Sequence, residues 1–479
     1  MNKLGVVSKL KKSIVILCLG LIACSNSIPE DDKFIQAFNQ ISINGFVSAC
    51  VVDINSNESV ASLNEQKRLI PASLTKIFTT ADALEILGSD FRFETQIYSV
   101  STSKKNNSII IKGGGDPTLG SDRWDYTKEE SVYNKILNEL KRQNIQKVED
   151  IFVDDFLFSG IKFPSKRNWE DIANYYGAPP SGLSFRENAF KLTLSSPKKV
   201  GQLCKVVKCD PEINKELKCY VLSSSVNKDS AYIYGHPEMD NWYVSGSIPA
   251  GREAFVIKGA LPDPAQTLGF NFKKFLTKHG IQVVGAIKKI KTDDIKNKKL
   301  LLKLESPSLL EIVKVINKKS FNLYADHVFF QLAFEKGKKA GWDNASSELN
   351  LFWKSRIDGF TGAFNDGSGL SPFNRFSSRD MVEALKYINH QSYSEDFRQS
   401  LSVAGEDGTL KSLFKTEEID GRFIGKSGSM NNVLCYCGYL TTKSGKELAV
   451  CVMVNGFTES FSDVRQNIAN ALKEIMQDQ

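Results

Sequence analysis

Pro71-Ala72-Ser73-Leu74-Thr75-Lys76, followed at once by Ile77-Phe78-Thr79-Thr80-Ala81-Asp82-Ala83-Leu84-Glu85-Ile86-Leu87, is the stretch on which the reading of this chain turns. Its apolar residues recur mostly at helical spacing, and Pro71 suits a helix start, so a buried helix opened by Ser73 is expected. Residues three apart on a helix share a face, which brings the Lys76 amine within reach of the Ser73 hydroxyl. That is a nucleophile beside a base. A lone Ser-x-x-Lys is common by chance, so the rest of the chain has to decide what Lys76 does.

Upstream, Lys3, Lys9, Lys11 and Lys12 precede an apolar run from Ile14 to Ala23 that ends at Cys24. The run is too short to span a bilayer as a helix and fits the h-region of an export signal. Leu21-Ile22-Ala23-Cys24 also resembles the bacterial lipobox. Residues 1–23 therefore read as a lipoprotein signal peptide, with Cys24 as the lipidated first residue of the mature chain and 24–32 as a tether. The expected location is the periplasmic face of a bacterial membrane, reached through a lipid anchor. Without the four signal lysines the net charge falls from +7 to about +3, which gives no reason to expect nucleic acid as a partner. A composition of 41% hydrophobic and 24% charged residues over 479 positions is that of an ordinary globular protein with two or three domains.

Besides the lipidated Cys24, seven cysteines remain in the mature chain, and an exported protein permits disulfides. Cys204, Cys209 and Cys219 are close enough in sequence to supply one. Cys435-x-Cys437 looks like one face of a strand with no fitting histidine near it, so no metal and no cofactor are expected.

Downstream of Asp32 the pattern runs helix, strand (Gly45 to Ile54), strand near Val60, then the Ser73 helix. A hairpin follows, with strands from Phe91 to Val100 and Ser108 to Ile111, then a glycine-rich turn through Gly114-Gly115-Asp116-Pro117. A helix to Arg142 and a strand to Val153 complete the first part, residues 33–154. From 155 to 303, short strand candidates punctuated by Pro and Gly indicate a β-rich insertion. The second part, 304–479, is helical from Ser308 onward. It ends in three strands (Arg422 to Lys426, Val433 to Leu440, Glu447 to Val454) and a closing helix from Ser462 to Met476. Strands at both ends with helices between them predict one sheet closed by the two termini.

Three short signals occur in order: Ser73-x-x-Lys76, Ser320-x-Asn322 and Lys426-Ser427-Gly428. Together they match the S-x-x-K, S-x-N and K-[ST]-G set of penicillin-recognising serine enzymes. Each alone is weak, but each sits in its expected context: a helix start, a junction between helices, and a strand edge. With Gly114-Gly115-Asp116-Pro117-Thr118-Leu119, Asp366-Gly367-Ser368-Gly369-Leu370-Ser371 and Gly405-Glu406-Asp407-Gly408-Thr409-Leu410, the chain resembles the class C low-molecular-mass penicillin-binding proteins. These are the D-alanyl-D-alanine carboxypeptidase/endopeptidases. The interval of 247 residues from Ser73 to Ser320 also fits, because members of that family carry extra domains there.

The resemblance implies an α+β fold of the penicillin-binding-protein/β-lactamase-like transpeptidase type, an antiparallel sheet flanked by helices, with β-rich inserted domains. It implies peptidoglycan stem peptides as substrates and β-lactam antibiotics as inhibitors. The chemistry can be argued from the residues as well. No His-Asp pair is evident, since His236, His279, His327 and His390 lie outside the three motifs, so Lys76 is the base expected to activate Ser73. It must then be neutral part of the time, through burial and the positive field of Lys426. Ser320 is expected to relay the proton to the leaving amine, with Asn322 holding Lys76 and the substrate amide. Lys426 and Ser427 are expected to meet the terminal carboxylate, with Gly428 letting substrate lie flat on the strand. The backbone N–H groups of Ser73 and Ser429 would form the oxyanion hole. Phe321 departs from the aspartate often found in the middle of the second motif. Alternative readings are a β-lactamase or esterase of the same fold, or a non-catalytic cell-wall-binding lipoprotein.

Overall fold

The computed structural model describes residues 44–103, 106–158, 163, 165–412, 419 and 421–478. The signal peptide, Cys24, the tether, the helix expected from Asp31 to Ile41 and the Lys104-Lys105 turn lie outside the described residues. Among those described, no helix is long and apolar enough to cross a membrane.

The sheet that carries the site has six antiparallel strands. In spatial order they are Ser402–Val403, Phe423–Met430, Val433–Thr441, Glu447–Asn455, Phe46–Asp53 and Ser59–Leu63. The first long strand of the chain pairs with the last, Phe46 opposite Asn455 through Asp53 opposite Leu448, so the two ends close one sheet as expected. Successive residues on a strand face opposite sides. Cys50 and Val52 accordingly pack into the helical layer, whereas Val47, Ala49 and Val51 pack under the C-terminal helix Phe461–Asp478. Burial on both faces is why these strands read as nearly continuous apolar runs.

At the centre of the helical layer runs Thr75–Leu87, with every residue from Thr75 to Leu84 buried. Phe78 is its anchor, ringed by Trp353, Phe360, Phe364 and Phe376 with centroids 4.6 to 5.6 Å away. Burying one such ring contributes about 1.5–3 kcal/mol and ties down the turn that precedes it. Around it lie Leu309–Lys319, Asn322–Glu335, Trp342–Arg356 and Ser378–Asn389. Ser308 and Glu311 close a capping box at the head of the first of these, so the cap is Ser308 and Pro307 lies just outside the helix.

The boundary expected at residues 154/155 falls within another structural unit. Glu94–Ser103, Asn106–Lys112 and Lys147–Asp154 form a second sheet with strands that return at Gln282–Val283, Ile287–Lys289 and Lys298–Glu305. Its core is shared with the helices Glu129–Arg142 and Pro264–Lys278. The departure from the terminal sheet therefore begins near residue 94. Sequence reading placed it later because a hairpin carries no mark of which sheet it will join. Within the insertion, two three-stranded sheets enclose a third core around Phe190 and Trp242. Cys204, Cys209 and Cys219 belong to it and carry free thiols, as do Cys50, Cys435, Cys437 and Cys451. Nearness in sequence, the only basis for the expected bridge, does not make these side chains pair.

Candidate active site

Ser73 lies in a 3-10 turn, Ala72–Leu74, and the α-helix proper starts at Thr75. The expected pairing survives this shift: Lys76 Nζ donates to Ser73 Oγ at 2.9 Å. Lys76 is fully buried and has two further acceptors, Asn322 Oδ1 at 2.8 Å and the Ser368 carbonyl at 2.5 Å. The orientation of the Asn322 amide is set by the insertion, because Asn322 Nδ2 donates to the Tyr176 carbonyl at 2.9 Å. A carbonyl only accepts, so the amide oxygen must face the lysine.

These three partners decide where a neutral Lys76 points its lone pair. The Ser368 carbonyl and Asn322 Oδ1 have no hydrogen to give and take the two amine hydrogens. Ser73, the one partner with a proton to donate, then faces the lone pair. Burial lowers the Lys76 pKa to about 7, opposed by Asp326 and Asp366 and assisted by Arg167. The direction matches expectation, and Arg167 is a further cation that lowers it. Lys426 and Lys76 repel each other's charge, and Lys426 is itself pushed well below the ordinary lysine value by its own burial and then by Lys76.

The second motif is a helix junction. Ser320 ends Leu309–Lys319 in the left-handed region at φ 55°, and Asn322 begins the next helix. Ala72, just before Ser73, is also left-handed at φ 47°. Each such non-glycine residue costs of order 1–3 kcal/mol, so the backbone is strained at Ser320 and just before Ser73. Lys426 Nζ donates to Ser320 Oγ at 3.0 Å and to the Ser427 carbonyl at 2.7 Å. Ser427 Oγ donates to Thr409 Oγ1 at 2.8 Å, which joins the Gly405–Leu410 segment to the strand edge. Asp407 in that segment pairs with Lys318, next to the Ser320 junction.

Gly428 has a use within the fold itself. A Cβ there would lie 2.5 Å from the Pro71 carbonyl and 3.2 Å from the Ser73 nitrogen, so the missing side chain lets the strand close against the nucleophile turn itself. Ser429, the next residue, is exposed beside that contact. Gly428→Ala is expected to cost about 1–3 kcal/mol through overpacking. It should also slow penicillin acylation, because the strand must withdraw from Ser73; thermal melting and labelling rate check the two effects together.

Some contributors escaped sequence reading. Ser368 was seen only as part of a turn, and Gly369 shows why the turn is close: its φ is 79° and a Cβ would sit 1.9 Å from the Ala72 carbonyl. Asp326 is four residues past Asn322 and so on the same helix face, a spacing that was there to be found. Arg167 and Tyr176 come from the insertion and carried no local signal. Asp155, at the root of the insertion, is paired with Lys289 at 2.6 Å. His327 faces Gly115 and Ser184 rather than Ser73, and burial lowers its pKa to about 3.

A buried lysine between the serine of a helix-leading turn and the asparagine of a helix junction, set against a Lys-Ser-Gly strand edge, defines the penicillin-recognising serine enzymes with their sheet-and-helix fold. The D-Ala-D-Ala carboxypeptidase 3 (S13) family matches residues 33–479, and the chain belongs to it, as a serine-type enzyme among the low-molecular-mass class C penicillin-binding proteins. It is similar to D-alanyl-D-alanine carboxypeptidase DacB of Haemophilus influenzae, 26% identical over 427 residues that cover 86% of this chain and 85% of the relative. The D-alanyl-D-alanine carboxypeptidase of Actinomadura sp. is 26% identical over 439 residues, 86% of this chain and 78% of that one. The fold matches the crystal structure of penicillin binding protein 4 (dacB) from Haemophilus influenzae with a TM-score of 0.80 at 23% identity, covering 93% of this chain and 99% of the other.

Proposed function

We propose that this protein removes the terminal D-alanine from peptidoglycan stem peptides through an acyl-enzyme on Ser73, and that β-lactams block it by acylating the same oxygen. The observation that carries the proposal is the hydrogen-bond geometry at Lys76, which leaves its lone pair facing Ser73 and no other partner that can donate. Lys76 takes the Ser73 proton as the oxygen attacks the peptide carbonyl. The oxyanion is received by the backbone N–H groups of Ser73 and Ser429, where losing one donor costs roughly a hundred- to a thousandfold in rate. Ser320, held by Lys426, relays the proton from Lys76 to the leaving D-alanine amine, which returns Lys76 to its neutral form. Lys426 and Ser427 meet the substrate carboxylate, whose negative charge favours the protonated form of Lys426. Water then hydrolyses the acyl-enzyme, returning Ser73 and the shortened peptide.

In the cell this chemistry belongs outside the cytoplasm, where the wall is. Export through residues 1–23 and lipidation at Cys24 would hold the enzyme on the periplasmic face of the membrane. Loss of membrane fractionation on Cys24→Ala checks that part. For the reaction itself, defined muropeptides are incubated with the protein and the products identified by mass spectrometry. Release of D-alanine from pentapeptides is expected. Rapid turnover of penicillin without D-alanine release would favour the β-lactamase reading instead.

The base must be neutral, so acylation follows the deprotonated fraction of Lys76. With its pKa near 7, the rate of penicillin labelling is expected to rise as pH increases from 6 to 8. A stopped-flow or gel-based labelling series across that range checks it, and a rate that fell over the interval would remove Lys76 from the role.

A further inference from the structure

Behind Lys76 lies a buried ionic cluster that none of the three motifs contains. Arg167 enters from the insertion with a fully buried side chain and donates to Asp326 Oδ2 at 2.5 Å and to Asp366 Oδ2 at 3.1 Å. It also reaches Ser368 Oγ at 3.2 Å and the Gly177 carbonyl at 3.4 Å, and lies over the Trp342 ring at 5.0 Å. Both carboxylates are tied to the turn that holds the lysine. Asp366 accepts from the Gly369 and Ser371 N–H groups and from Asn374 Nδ2, and Asp326 accepts from the Gly367 N–H. The same turn presents the Ser368 carbonyl to Lys76. Buried charges are tolerated only when paired, and here one cation serves two anions. The residual negative charge sits beside the amine that has to lose a proton.

We propose that Arg167 is a positioning residue for the reaction: its guanidinium offsets Asp326 and Asp366 and thereby keeps Lys76 available as the base. This rests on the reading of Lys76 as the base and explains why the base depends on the insertion. The charged groups facing the lysine can be taken element by element. Asp326 comes from its neighbouring helix, Asp366 from the Asp366–Ser371 turn, Arg167 from the insertion and Lys426 from the strand edge. Removing the single cation on the carboxylate side leaves two anions to hold the ammonium form. Removing one anion does the reverse. The burial and bidirectional pull of these groups on Lys76 agree with that sign. The carboxyl of Asp326 is itself raised to about 6 by burial, with Arg167 acting to lower it, so the guanidinium also keeps that acid ionised and the turn bonded.

The test is the pH profile of acylation by a fluorescent penicillin, measured from about pH 5.5 to 9.5 for wild type, Arg167→Gln, Arg167→Lys and Asp326→Asn. For Arg167→Gln the rising limb should move up by one pH unit or more, so that labelling at pH 7 is at least about fivefold slower. It should recover to near the wild-type rate above the limb. Arg167→Lys should restore most of the wild-type position, and Asp326→Asn should move the limb down. A loss by the same factor at every pH in Arg167→Gln, or a limb that stays put in both Arg167→Gln and Asp326→Asn, overturns the assignment to Arg167 alone. Should Arg167→Gln fail to fold, the direction of the shift in Asp326→Asn decides, with an unmoved or raised limb counting against the proposal. A wild-type protein without any rising limb overturns the reading of Lys76 as base, and this inference with it.

Discussion

Replacing Ser73 with alanine is expected to abolish covalent labelling by fluorescent penicillin and release of D-alanine from muropeptides, while the protein stays folded. The substitution removes one hydroxyl from a half-buried turn position, whose hydrogen-bond partner is Lys76 at 2.9 Å. No packing is lost with it, and a small polar-to-apolar change at such a site costs little stability. What is lost is the only atom that can form the acyl bond, so activity should drop to background rather than by a factor. Labelling on a gel and intact-protein mass after penicillin treatment read the result directly. An adduct of penicillin mass on the alanine variant would place the nucleophile elsewhere.

Nearly as large is the effect expected for Lys76→Met. Methionine has similar length and is apolar, so it fits a side-chain site that is fully buried. It removes the proton acceptor and leaves Asn322 Oδ1 and the Ser368 carbonyl without their donor. General base catalysis is worth typically 10²–10⁴ in rate, and acylation should fall by about that factor. The loss should persist at high pH, where the Arg167→Gln variant recovers, which separates an absent base from a base held protonated. Time courses of labelling at pH 7 and pH 9 provide the check. Rates within tenfold of wild type at both would show that Ser73 is activated by another group.

The insertion, read from sequence as an accessory region of unassigned role, forms part of the site's wall. Tyr176 orients Asn322, and Arg167 sits between the two carboxylates behind the lysine. A third contact ties the same elements together: Glu187 accepts from Tyr324 at 2.9 Å and from Arg123 at 2.6 Å, and Arg123 lies over Phe321 at 4.7 Å. Phe321, the departure from the usual motif, is thus held by a cation stacked on its ring. Loss of the insertion would leave the three motifs in place on the chain but without the groups that aim them.

What could be read without coordinates were features written in local order. Helical periodicity around Phe78, the Ser-x-x-Lys spacing, the Ser308 cap and the long apolar strands near each end are each imposed by neighbours a few residues away, so they are visible in a short window. The order of the three motifs then brought Ser73, Lys76, Ser320, Asn322 and Lys426 into one site. Beyond that reach lay everything that depends on which distant segments meet. The hairpin at residues 94–112 joins a second sheet, Gly428 serves the approach of a strand to a turn, and Arg167 from the insertion lowers the Lys76 pKa. Chemical identity and spacing along the chain determined which atoms would react. The protonation of the base was decided only in the fold, because electrostatic fields and desolvation act through space, between residues that the sequence sets 91 to 290 positions from Lys76 and the folded core brings around it.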